Sequence, residues 1–347
     1  MTFKMSFTSH FTLNMTALEQ RLLDIIQDAF PLEERPYQVL ADMLNAQGSA
    51  GEQPRESFTE QQVFDAVENL RKAGVIRRIG GIYDSHKLGF ISRLCAGKVP
   101  SIATGAADDS ALDVFAAAVN EIHAITHNYV RSHEYNVWFT VIAESEGKIC
   151  RIVDGLCAAT ALHDVHVLSA TKKFKINTVM GKTSVGMNAP MRSVGNGAKE
   201  SLSGVLTASD RERIRIACGD IPHTLVPFKD WNVSVDGLRE DLAQKRMRRF
   251  GAILRHQQAG FAHNAMVCFD ALTDAGAVLA KNPHISHCYE RPAFEEFPYT
   301  LYAMMHAQSP EELDSFIKDA AASLGNPDYV VLHSIRELKK TSFRFFE

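Results

Sequence analysis

Arg78-Ile79-Gly80-Gly81-Ile82 and, 171 residues later, Arg249-Phe250-Gly251-Ala252-Ile253 carry one pattern twice; Gly89-Phe90 recurs at the same offset as Gly260-Phe261. Nearer the start, Thr16-Ala17, Pro31 and Pro36 return 191 residues on as Thr207-Ala208, Pro222 and Pro227. Further along each copy, His127-Asn128-Tyr129-Val130-Arg131 is matched by His287-Cys288-Tyr289-Glu290-Arg291. Self-similarity at long period marks a duplicated structural unit. The change of offset places about twenty extra residues in the first copy, at the loop-like stretch from Gln47 to Pro54. Residues 177–205, rich in Gly, Ser, Asn and Lys, read as a linker between the copies.

Each copy divides again. In residues 14–90, Thr16 precedes a helical apolar pattern (Leu18, Leu22, Leu23, Ile25, Ile26, Phe30) that stops at Pro31. A second helix is expected over Tyr37 to Asn45, and a third from Thr59 to Gly74. Val75 to Tyr83 then reads as a hairpin, which completes a winged helix-turn-helix. Residues 91–176 alternate strand, helix, strand, strand, helix, strand, the ferredoxin-like order in which an antiparallel sheet carries both helices on one face. Residues 206–260 form a degenerate second winged helix, with Gly237 expected to weaken its third helix, and 261–347 a second ferredoxin-like domain. The fold class is therefore α+β, a tandem duplication of a winged helix-turn-helix plus a ferredoxin-like domain.

Composition narrows the function. The chain has 347 residues, 46% of them hydrophobic, which excludes a disordered polymer. It shows neither a membrane-length apolar run nor a signal-peptide layout, so a cytoplasmic protein without a membrane partner is expected. Six scattered cysteines without a Cys-x-x-Cys pair favour buried thiols over a disulfide framework or a zinc site, and no metal site is expected. DNA is a poor partner: residues 16–90 hold 8 Lys+Arg against 12 Asp+Glu, and the third helix has three acids before Arg71. Such a field repels phosphates.

Fourteen histidines remain to be explained. His127, Tyr129, Arg131 and His133 are spaced by two and share one face of a strand; His287, Tyr289 and Arg291 repeat the row. With helices on one sheet face, both rows must lie on the open faces, which could pack together around a cavity. Trp138 and Tyr302 follow on the next strands, and Tyr135 lies between. Arg clamps carboxylates, aromatics pack a flat body, and His moves protons near neutral pH, so the pattern suits a planar polyanion. A basic stretch from Lys245 through Arg249 to Arg255-His256 surrounds the second wing and reads as an anion clamp. Gly181-Lys182-Thr183-Ser184 lacks the earlier glycine of a P-loop, and His163 and His166 would face opposite ways on a strand.

The order of winged helix and ferredoxin-like domain resembles the Lrp/AsnC regulators. The strings Gly74 to Gly80, His127 to Phe139 and His287 to Pro292 resemble more specifically the siroheme decarboxylases, the Ahb and Nir proteins of alternative heme and heme d1 biosynthesis. That resemblance implies loss of CO2 from two acetate side chains of siroheme, with two subunits fused in one chain. Siroheme, a polyanionic tetrapyrrole, would be the partner, and no cofactor beyond that iron-containing substrate is implied. Other heme d1 biosynthesis proteins and a second copy of the chain are further candidate partners. His127 and His287 are the candidate proton donors. Tyr129, Arg131, His133, Tyr135, Trp138, Arg249, Arg255, His256, Tyr289 and Arg291 are the candidate substrate contacts, and any of the histidines could instead ligate the substrate iron. The spacer Pro292 to Pro298 departs from the first copy and leaves His133 without a counterpart. The alternative is a heme- or tetrapyrrole-sensing regulator.

Overall fold

A computed structural model describes residues 15–47, 57–100, 110–176, 206–255, 263–271 and 274–347. The proposed linker and His256 lie outside the described residues. Thr16 opens α1 (Ala17–Asp28) with a capping box: its hydroxyl accepts from Glu19 N at 3.2 Å, and the Glu19 carboxylate accepts from Thr16 N at 2.8 Å. After α2 (Pro36–Gln47), Thr59 and Gln62 repeat the box at α3 (Glu60–Lys72). Then come β1 (Ile76–Tyr83), β2 (Ile91–Lys98), α4 (Ser110–Glu121), β3 (Ile125–Arg131), β4 (Val137–Ala143), α5 (Glu146–Ala159), β5 (His163–Leu168) and β6 (Lys172–Ile176).

The second copy holds α6 (Ala208–Ala217), α7 (Pro227–Asp230), α8 (Val235–Ala243), β7 (Met247–Leu254), β8 (His263–Phe269), α9 (Ala275–Leu279), β9 (Ile285–Glu290), β10 (Leu301–Ala307), α10 (Pro310–Ser323) and β11 (Tyr329–Lys340). Thr207 caps α6 as Thr16 caps α1. α8 forms with Gly237 in its first turn, where the glycine N–H donates to the Ser234 hydroxyl at 3.1 Å.

The expected wing hairpin is replaced by another pairing. β1 is one continuous strand, and its partner is β7 of the other copy, with Gly80 opposite Gly251. The glycines that read as a turn serve a close approach instead. A Cβ on Gly80 would strike the Gly219 carbonyl oxygen, and one on Gly251 would strike that of Ile26. Around this ribbon the two winged-helix parts share one core, including Leu22, Ile26, Val63, Ile214, Leu238 and Phe250. Asp241, fully buried, accepts from Arg213, from Arg246 at 2.9 Å and from the Tyr83 hydroxyl at 3.0 Å, tying α6, α8 and β1 together.

The remaining strands form a nine-stranded antiparallel sheet in the order β5-β2-β4-β3-β11-β8-β10-β9-β6. Each half has the ferredoxin-like order, and each lends its last strand to the other. β11 pairs with β8 through Tyr329–His333 and then with β3 through Ser334–Lys340. β5 pairs with β2, and after only three residues β6 pairs with β9. The outer faces are covered by α4 and α5 on one half and by α9 and α10 on the other. The inner faces meet in an apolar layer of Ala96, Trp138 and Leu168 against Met266, Cys268, Phe297 and Tyr302. The middle of the sandwich is thus packed solid. The single central cavity expected there is absent among the described residues, because aromatic side chains fill it.

Candidate active site

β3 shows how the row is built. Ile125, Asn128 and Val130 are buried on one side, and a register irregularity between Ile125 and His127 turns His127, Tyr129 and Arg131 to the other. β9 repeats the arrangement contact by contact. Thr126 Oγ1 lies 2.9 Å from His127 Nδ1, and Ser286 Oγ lies 3.0 Å from His287 Nδ1. The Arg131 guanidinium sits 5.2 Å from the Tyr129 ring, and that of Arg291 lies 5.1 Å from Tyr289.

Both arginines already hold protein partners. Arg131 donates to Leu332 O at 3.0 Å and to the Ser334 hydroxyl at 3.1 Å; Arg291 donates to Leu168 O at 2.8 Å. Burial pushes Arg131 down to about 10 and lowers Arg291 too. Both tie one sheet to the other and hold the tyrosines by their ring faces.

Other cations stand beside the rows, on the wing ribbon and the lent strands. The ribbon is irregular at Arg77 and at Arg248, and Arg77 and Arg78 share the Ser342 hydroxyl, at 2.9 Å and 3.0 Å. Arg77 donates to Lys340 O at 3.3 Å and to the Ser342 hydroxyl at 2.9 Å, close enough to Tyr129 for their charges to interact. Arg248, its repeat on β7, donates to Tyr83 O at 3.4 Å and acts on both Tyr289 and His287. Arg249 reaches Ala252 O at 3.5 Å and feels the Asp28 carboxylate, and Arg78 reaches Gly219 O at 3.1 Å. Arg255, whose N–H donates to Val75 O at 3.0 Å, lies beside Arg77 and so belongs to the first row, because β7 runs antiparallel to β1.

Opposite the rows stand the lent strands. Lys340 pairs with His127 and Glu337 with Tyr129; in the second copy Ile176 pairs with His287 and Lys173 with Tyr289. The Tyr129 hydroxyl hydrogen-bonds the Glu337 carboxylate, and burial followed by that charge raises its pKa. Burial pushes His287 down to about 4, with Arg248, Lys175 and Lys340 adding to the effect. Lys340 thus pairs with His127 while its charge also acts on His287.

His133 and Tyr135 do not join His127. β3 ends at Arg131, and Ser132 to Asn136 form a turn in which His133 Nδ1 accepts from Tyr135 N at 3.0 Å. They pack instead against the spacer peculiar to the second copy: the His133 ring lies 5.3 Å from Phe297, and Tyr135 lies 5.1 Å from Phe294. The Tyr135 hydroxyl meets Asp164 at 3.0 Å, His166 at 3.2 Å and Glu296 at 3.3 Å. Trp138 is sealed in the inter-sheet layer, donating to Tyr135 O at 2.7 Å.

A profile described as AsnC-like ligand binding domain matches residues 87–175 and 258–339, and one described as siroheme decarboxylase NirDL-like HTH domain matches residues 19–49. The siroheme decarboxylase alpha subunit of Nitratidesulfovibrio vulgaris is 43% identical over 162 residues, which cover 47% of this chain and 80% of that subunit. The chain belongs to the siroheme decarboxylase family. The siroheme decarboxylase of Hydrogenobacter thermophilus extends the likeness, at 29% identity over 339 residues and 94% of each chain. The crystal structure of the siroheme decarboxylase NirDL in co-complex with an iron-uroporphyrin III analogue matches with a TM-score of 0.63 and 25% identity over 95% of each chain. In this family member the repeated row was legible from spacing. Arg248 lies within the basic stretch read as an anion clamp, whereas Lys173, Glu337 and Lys340 reach the rows through strand pairing, which sequence proximity does not show.

Proposed function

We propose that this chain removes CO2 from two acetate side chains of siroheme to give didecarboxysiroheme, in heme d1 or alternative heme biosynthesis. The observation that carries the reading is the duplicated His–Tyr–Arg row, flanked by cations of the wing ribbon and the lent strands, in a chain of this family. Siroheme bears eight carboxylates on a flat ring, and Arg77, Arg248, Lys173 and Lys340 offer charges to hold them. When the bond to a carboxylate breaks, CO2 leaves and its electron pair passes into the conjugated ring. A proton delivered to the methylene carbon then completes a methyl group. His127 and His287 are the candidate donors, with Tyr129 and Tyr289 placed to orient carboxylates, and either ring could instead ligate the substrate iron. No cofactor beyond the substrate is invoked, since the macrocycle takes up the electrons.

The regulator reading is not favoured. Glu60 at the start of α3 is ion-paired with Arg35, and β1 and β7 are paired with each other. Anaerobic incubation with siroheme, read by product mass, tests the function. Loss of two carboxyl groups is expected, and full activity in both His127→Ala and His287→Ala would refute the assigned donors.

A further inference from the structure

The two rows are built alike but are not equivalent, and the difference lies behind the histidine. Ser286 Oγ stands 3.0 Å from His287 Nδ1, 2.9 Å from His306 Nε2 and 3.3 Å from Met304 O. A hydroxyl oxygen accepts twice and donates once. It can take an N–H from each ring and give its own proton to the carbonyl, leaving His287 with Nδ1 occupied and Nε2 facing away from Ser286. The first copy keeps Thr126 on His127, but the counterpart of His306 on β4 is Ile142, two residues beyond Thr140 as His306 is two beyond Met304. The lent strands differ too: Lys173 stands opposite Tyr289, whereas the carboxylate of Glu337 occupies that place at Tyr129. Asp84, the acid closest to Lys173 in effect, is already engaged, accepting from His86 N at 2.9 Å.

We infer that the second row is the reacting one, with Ser286 and His306 as positioning residues that hold His287 for proton delivery and Lys173 receiving the carboxylate of the reacting acetate. In the first row Glu337, hydrogen-bonded to Tyr129, takes the place that Lys173 holds in the second. The inference rests on the decarboxylase reading and assigns its chemistry to one side of the molecule.

The test is anaerobic turnover of siroheme by the full chain, with product mass, KM and pH profile read for each variant. Ser286→Ala and His306→Gln are expected to lower kcat by about tenfold or more with little change in KM, and to move the acid limb of the profile. Ser286→Thr, which installs the residue the first copy uses, should restore most of the rate. Lys173→Glu should raise KM by about tenfold or more, and Lys173→Arg should not. Thr126→Ala costing as much kcat as Ser286→Ala, or Lys173→Glu behaving as wild type, overturns the assignment while leaving the function intact. A wild-type protein that shifts the siroheme spectrum but releases no CO2 refutes the function itself. Unchanged far-ultraviolet circular dichroism in each variant separates these outcomes from misfolding.

Discussion

Arg131 and Arg291 do the same thing from opposite sheets. Each sends a buried guanidinium to a backbone carbonyl of the other half, Leu332 O at 3.0 Å and Leu168 O at 2.8 Å. A charge-assisted hydrogen bond in a buried site is worth about 1.5–3 kcal/mol. Arg131→Ala and Arg291→Ala should therefore each lower unfolding free energy by about 2–3 kcal/mol in denaturant melts, before any effect on siroheme is considered. Unchanged midpoints would return both residues to the role of free ligand clamps.

Gly80 and Gly251 give a sharper test of the wing pairing. Alanine at either would force a Cβ into a carbonyl oxygen, and backbone cannot yield cheaply there. A loss of about 2 kcal/mol or more is expected for each. Gly155→Ala, in α5 with open space around it, should instead stabilise by about 0.5–1 kcal/mol. Equal tolerance at all three positions would contradict the close approach of β1 and β7 to the helices.

Acid should weaken the fold through His287. Its folded value of about 4 lies below the 6.5 of a free imidazole, so between those values the unfolded chain binds the extra proton. The stabilisation is complete above about pH 6.5 and disappears as pH falls toward 4, by an amount on the order of 1–3 kcal/mol. His133 and His284, also lowered chiefly by burial, act in the same direction. Melting temperatures of wild type and His287→Gln across pH 4 to 7 would reveal it: the variant should show the shallower slope.

A neutral His287 in the empty protein has a further consequence. Bringing carboxylates against Arg248, Lys175 and Lys340 cancels the cations that press on the ring, so its proton affinity must rise. Binding of siroheme at neutral pH should be accompanied by proton uptake. Calorimetric titrations in buffers of different ionisation enthalpy would register it, and a binding enthalpy independent of buffer would count against His287 as the donor.

Much of this architecture is written in local patterns. The threonine caps at Thr16, Thr59 and Thr207, the helical apolar periods and the alternation of β3 and β9 all act within a few residues, and each was readable. Long-range pairing was not. Gly80-Gly81 looks the same whether the chain turns or passes under a carbonyl, and only β7 decides between them. Lys172–Ile176 alternates Phe174 and Ile176 with lysines, but the run is only five residues long, and its partner β9 lies more than a hundred residues later. The row is shorter than its spacing for a related reason: the period of two continues to His133, but the strand stops at Arg131, where Ser132 N bonds to His333 O. His306 and Ser286 escaped notice because their link is a contact across β9 and β10.

The exchange of last strands settles what keeps the two halves together. Each sheet is finished by a strand from the other copy, so neither half closes without its sister. The covalent connection across residues 177–205 is then a matter of stoichiometry: it delivers the two partners in equal number and at once. A chain cleaved between Ile176 and Leu206 should still migrate as one particle and melt in one transition, as a pair of interlocked pieces that never needed the thread between them.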